Sequence, residues 1–168
     1  KLKNFDIEDF RYFLMKNNII FVYSRHSINS KFEKDNIEDY KNIFFINTKK
    51  NPLFDTTKYL KKIDLLINDC SSTSIESLFL NLPQINIFPD LIKYNTESGF
   101  LNNYKENSTA PLVNNYSDFK KFIKLYLKKP SIYKIKYKKN NLIEKKRYYD
   151  LYKHNSNYMW YNFIRSLL

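Results

Sequence analysis

Along this chain the apolar positions change period several times, and each change marks an element. Ile7, Phe10, Phe13 and Leu14, behind Asp6, recur at helical spacing and predict an amphipathic helix with an acidic start. Ile19-Ile20-Phe21-Val22-Tyr23 is instead a short continuous apolar run, as expected of a strand buried on both faces. Ile43-Phe44-Phe45-Ile46 repeats that run, while Lys31 to Lys41 is charged and reads as surface. Asp55-Thr56-Thr57 caps a helix through Tyr59, Leu60 and Ile63, which leads into a third run, Leu65-Leu66-Ile67. From Ile75 the spacing turns helical again through Leu78, Phe79 and Leu82. Two more strands follow: Ile85-Asn86-Ile87-Phe88, stopped by Pro89, and Ala110-Pro111-Leu112-Val113, entered through a proline turn. Tyr116-Ser117-Asp118 opens a helix with Phe119, Phe122, Ile123 and Tyr126 on one face, and residues from about 141 to 168 read as a closing helical segment. Strands alternating with helical patterns argue for an α/β, Rossmann-like parallel sheet flanked by helices and joined by right-handed crossovers. At 168 residues the chain fits a single domain.

The chemistry gathers at one joint. Between the third apolar run and the helix after it lies Asn68-Asp69-Cys70-Ser71-Ser72-Thr73-Ser74, a turn made of hydroxyls. Strand, short turn and helix is the geometry in which helix N-terminal N–H groups and the dipole face a bound anion. Ser71, Ser72 and Thr73 would add hydroxyl donors to those amides, making a phosphate seat. A purely structural alternative fits the same letters. Thr73-Ser74-Ile75-Glu76 matches the capping box, in which the hydroxyl accepts from the third helical amide and the acid reaches back. A second candidate follows the first strand, where Ser24-Arg25-His26-Ser27 stands at the carboxyl end at which open α/β sheets bind ligands. A solvent-exposed loop histidine is the plain alternative.

Composition narrows the partners. Lys and Arg number 29 against 17 Asp and Glu, a net charge of +12, and this favours an anionic partner: nucleic acid, an acidic membrane surface or a phosphorylated substrate. Lys, Asn, Ile, Tyr and Phe are abundant together, however, so part of the charge is compositional. The Lys- and Tyr-rich run from Lys128 to Lys139 reads either as a phosphate- or membrane-binding patch or as a solvated lysine face. One cysteine rules out an internal disulfide and fits a reducing compartment. No apolar run approaches a membrane span and no signal peptide precedes Asp6, which leads us to expect a soluble, cytoplasmic domain, with any membrane contact peripheral. A single glycine excludes P-loop and GxGxxG nucleotide loops. Two histidines and one cysteine without clustered carboxylates give no metal site, and no cofactor is expected. A serine-hydrolase elbow lacks its glycines. For RNA binding the charge is present, but the aromatic residues fall at core spacings, so nucleic acid is not the expected partner.

Asn68-Asp69-Cys70-Ser71-Ser72, with Glu76, Leu80-Asn81, Pro83 and Phe88-Pro89-Asp90-Leu91, resembles the CDP-glycerol glycerophosphotransferase family, the polymerases and primases of teichoic-acid-like polymers. That family carries an Asp-aromatic-Ser-Ser turn, an acid one helical turn on, an Asn-Lys-Pro-like exit and an Asp-Leu after the next strand. Here Cys70 replaces the aromatic residue and Leu82 the lysine, while both serines and the acid stand in place. The family's Arg-x-His-Pro-like segment falls on Arg25-His26-Ser27, and its Tyr…Arg-Gly-Phe stretch on Tyr94 to Phe100, with Ser98 for arginine. Of its closing Asp-Gly…Ser…Arg pattern only Ser156 aligns, and His154 beside it reads as a surface residue. The resemblance spans roughly Ile19 to Ile164.

The resemblance implies the donor-binding half of a glycosyltransferase-B fold, with an N-terminal acceptor half outside this chain. The donor would be a CDP-activated polyol and the acceptor a polymer or a lipid-linked primer at the inner face of the cell membrane. Ser71, Ser72, Thr73 and Arg25 would bind donor phosphate, Glu76 the ribose, and His26 would assist the leaving group. The chain alone would bind donor without turnover. Other readings are a sugar-nucleotide glycosyltransferase domain and a basic module for nucleic acid or anionic lipid.

Overall fold

The computed structural model describes residues 2–25, 41–47, 59–69, 73–88, 90, 96 and 108–167, with side chains as far as 148 apart from those of 25 and 45–47. The chain forms two compact units, Asn4–Thr56 and Lys1–Lys3 with Thr57–Leu168.

In the unit of Asn4–Thr56, helix α1 (Ile7–Lys16) starts where Asp6 accepts from the Glu8 and Asp9 amides at 2.8 and 3.1 Å. That side chain satisfies two of the N–H groups a helix start leaves open. The helix buries Phe10, Phe13 and Leu14, as its spacing predicts. Each fully buried side chain of this size contributes about 1.5–3 kcal/mol. The Phe10 ring meets Phe21 edge-on at 5.2 Å. At the helix exit Asn18 has φ 51°, and the Ile19 amide donates back to Leu14 O at 2.9 Å. This is the left-handed exit that most often uses glycine. Strands β1 (Phe21–Arg25) and β2 (Ile43–Asn47) pair in parallel, Phe21 opposite Ile43 and Arg25 opposite Asn47. Full burial of both faces was expected here. Instead Val22 and Phe44, which face each other across the pair, are 41% and 52% exposed.

The other unit holds a parallel sheet in the order β3 (Leu66–Asn68), β4 (Gln84–Ile87), β5 (Leu112–Val113). Lys3 joins beside β5, its amide donating to Asn114 O and its carbonyl accepting from Tyr116 N. The crossover from β3 to β4 runs through helix α2 (Thr73–Phe79), which buries Ser74, Ser77 and Leu78. It ends like α1: Asn81 takes φ 55° and the Leu82 amide reaches Ser77 O at 2.9 Å. Helix α3 (Tyr116–Lys128) is capped by Asn115, which accepts from the Asp118 amide at 2.9 Å, and it buries Phe119 and Ile123. Pro130 then opens helix α4 (Pro130–Leu167), where its missing N–H costs nothing. The Lys- and Tyr-rich run is therefore the first part of a long helix. Its inward face is Tyr133, Asn141, Glu144 and Tyr148, with Tyr137 half-buried between them.

Candidate functional site

Because β3, β4 and β5 are parallel, their carboxyl ends Asn68, Ile87 and Val113 share one edge of the sheet. The hydroxyl turn leaves from that edge. Asp69, the first residue past β3, is exposed, and Thr73 is the first residue of α2 and half-buried. Thr73 thus stands inside the helix, one position later than the capping box requires. Glu76 lies in the first turn of α2 and is exposed. Thr73 and Glu76 are the predicted site residues the structure brings together. With seven residues α2 has a short dipole, so anion binding here depends on amides and hydroxyls at close range. Ser71, Ser72 and His26 lie outside the described residues. Arg25 is the last residue of β1, beside Asn47 in register.

Behind the turn the interior is polar. Asn68 donates through Nδ2 to Gln84 Oε1 at 3.2 Å and to Asn86 Oδ1 at 2.9 Å. Gln84 Nε2 donates to Ser74 O at 3.0 Å, and Ser77 Oγ donates to the same carbonyl at 2.8 Å. Gln84 O in turn accepts from the Tyr133 hydroxyl at 2.6 Å. Asn68, Gln84, Asn86, Ser74 and Ser77 are all buried. The amide chain clamps both flanks of the hydroxyl turn, the end of β3 on one side and the first turn of α2 on the other. Two of its atoms, Asn86 Nδ2 and Ser74 Oγ, are buried without a hydrogen-bond partner. Burying amides is costly unless they are paired, so a sheet interior built this way gives up stability that aliphatic residues would supply. Sequence reasoning missed this cluster. The available signal was Gln84 and Asn86 alternating with Ile85 and Ile87 in a strand that topology covers on both faces.

A separate open cleft of about 310 Å³ lies at the opposite edge of the sheet, lined by Leu60, Asp64, Asn81, Pro83, Tyr126 and Lys134 among others. There Tyr126 donates to Asp64 O at 2.9 Å, and burial raises its hydroxyl pKa, with the Asp64 charge adding to the effect. Nearby Lys145 donates to Asn81 Oδ1 at 2.5 Å, and burial lowers its pKa. This cleft is remote from the hydroxyl turn along the strands. Among the described residues no group of three or more His, Cys, Asp or Glu gathers as metal ligands.

Parallel strands and a helical crossover that leaves β3 at the carboxyl edge of the sheet define an α/β protein of Rossmann-like design. Its family is resolved by comparison: the model described as CDP-glycerol:poly(glycerophosphate) glycerophosphotransferase matches residues 1–158, and the chain belongs to that family. Glycerophosphotransferase-type activity with a CDP-glycerol donor and a polymer acceptor goes with that membership. Comparison with individual curated proteins gave no match.

Proposed function

We propose that this chain is the donor-binding domain of a transferase that moves glycerol phosphate, or a similar polyol phosphate, from a CDP-activated donor to a polymer or lipid-linked acceptor of teichoic-acid type. The observation that carries this reading is the passage from the carboxyl end of β3 into α2 at the edge of a parallel sheet, where the sequence sets a run of hydroxyls, within a chain of this family. Ser71, Ser72 and Thr73 hold the donor diphosphate, with Arg25 as a cationic partner. Glu76, exposed on the first turn of α2, accepts from ribose hydroxyls. An acceptor hydroxyl oxygen attacks the polyol-bearing phosphorus as the bond to the bridging oxygen breaks. CMP departs and the hydroxyl proton passes to a general base. His26 neutralises the charge that grows on the departing phosphate, an interaction worth more in the transition state than before it.

Calorimetry with CDP-glycerol tests the seat. Replacing Ser71 and Ser72 together by Ala weakens binding by about 1–3 kcal/mol, the range for hydrogen bonds to a charged group. In turnover by the intact enzyme, His26→Ala lowers kcat by about 10²-fold with a much smaller loss of donor affinity. Unchanged affinity in the serine variant places the seat elsewhere, and tighter binding of UDP-sugars than of CDP-glycerol moves the chain to another donor class.

A further inference from the structure

The cleft at the opposite edge of the sheet takes no part in the donor seat, yet its lining is chemically sorted. It lies where β3 and β4 begin, at Pro83, whose carbonyl accepts from Leu66 N at 2.9 Å. Tyr126 is a fixed part of its wall: the hydroxyl donates to Asp64 O at 2.9 Å and the ring meets Tyr133 edge-on at 5.6 Å. With the buried Leu60 and Leu82 that ring supplies the apolar lining. Lys61 and Lys134 line the cleft and are exposed, and Lys145 holds the lining residue Asn81 through its Oδ1 at 2.5 Å. One carboxylate, that of the exposed Asp64, belongs to the same lining. At about 310 Å³ the cleft stands at the lower end of the range of ligand sites, about 300–1,000 Å³, too small to seat a helix or a duplex. Cations alone would suit any anion. Cations beside a carboxylate and an amide oxygen suit a ligand that carries both negative charge and hydroxyl donors, and a tyrosine face accommodates the carbon atoms between them. Each unit of a glycerophosphate chain has that make-up: a phosphodiester charge and a free hydroxyl on a short carbon stem. Because the cleft is open, such a chain can lie in it and continue beyond.

We propose that this cleft is a second site for the polymer, holding its phosphates on Lys61 and Lys134 and a hydroxyl on Asp64, away from the reacting end. A chain held here stays on the enzyme between additions, because a tethered end re-engages at high effective concentration. The inference rests on the family's polymer acceptor and is independent of the donor seat. The test is calorimetry of the chain with short poly(glycerophosphate), against inorganic polyphosphate of equal charge. The unaltered chain binds poly(glycerophosphate) the more tightly of the two. Lys61→Gln with Lys134→Gln weakens that binding about tenfold, the scale of two exposed charged contacts. Lys121→Gln with Lys139→Gln, at exposed lysines outside the lining, costs less than about twofold. Asp64→Ala lowers the preference for poly(glycerophosphate) over polyphosphate about fivefold, since the polyol loses an acceptor while the bare polyanion loses a like charge. Should the cleft pair fail to fold, Lys134→Gln alone serves instead, and a loss of about threefold supports the site. Equal losses from the two lysine pairs overturn the proposal, because they spread the binding over the whole basic surface. So does a chain that binds polyphosphate as well as poly(glycerophosphate), or binds neither. CDP-glycerol titrated in parallel keeps one affinity through all the cleft variants, and a matching loss there overturns the separation of the two sites. A chain that binds the polymer but not CDP-glycerol supports the cleft and counts against the donor seat alone.

Discussion

Asn68 ends β3 with one side-chain nitrogen donating to two acceptors, Gln84 Oε1 and Asn86 Oδ1. Asn68→Ala removes the donor and leaves two buried oxygens to be satisfied otherwise, a loss of about 1–3 kcal/mol. Urea unfolding measures it, and a midpoint unmoved by the change would mean the amides re-pair among themselves. The one trace of this cluster in the letters points the wrong way. A strand of alternating amide and isoleucine, Gln84 to Ile87, looks like one with a wet face, and topology alone encloses both sides. Ser74 and Ser77 are also indistinguishable in sequence from the neighbouring hydroxyls, yet both turn inward. By contrast the strand and the helix on either side of residues 70–72 were legible, because a short apolar run gives way at once to helical spacing.

At the scale of elements, most of the described strands and helices follow the apolar period to within a residue or two, and α4 departs from it furthest. Its first turns were hidden because the inward positions are Tyr133, Tyr137, Asn141 and Glu144, none of which registers as an apolar stripe. Where α4 meets α3, Tyr133 meets Tyr126 edge-on and Tyr137 at a tilt, with centroids 5.6 and 5.4 Å apart. Burial raises the pKa of Tyr133 and pushes Tyr137 up to about 12 from an ordinary 10.0. A raised folded-state value means the native state holds protons that the unfolded chain releases. The stabilisation is therefore complete below pH 10.0 and declines as pH rises through about 12. Lys145 acts in the opposite sense, because its lowered value makes the native state release a proton first, but its effect is finished once pH passes 10.5. Chemical denaturation across this range shows stability falling above pH 10.0, and Tyr137→Phe flattens the fall.

For the whole molecule, 29 basic against 17 acidic residues leave +12 to be carried by 168 residues. Self-repulsion of that size opposes compactness and is screened within a Debye length of about 8–10 Å at moderate ionic strength. Melting temperature should thus climb as sodium chloride is added from low ionic strength. A melting temperature that falls with salt would show that attractive ion pairs outweigh the repulsion. The division into two compact units was not legible, since strand patterns of one kind run through both. One further trait belongs to the chain as a whole. With Gly99 its sole glycine, the exits of α1 and α2 are both built on asparagine in the left-handed conformation, Asn18 before Ile19 and Asn81 before Leu82. Asparagine thus takes at these two stops the left-handed role usually left to glycine, and it is the backbone at the helix end, not the dipeptide, that makes the stop, since Asn86-Ile87 lies inside β4 and Asn141-Leu142 inside α4.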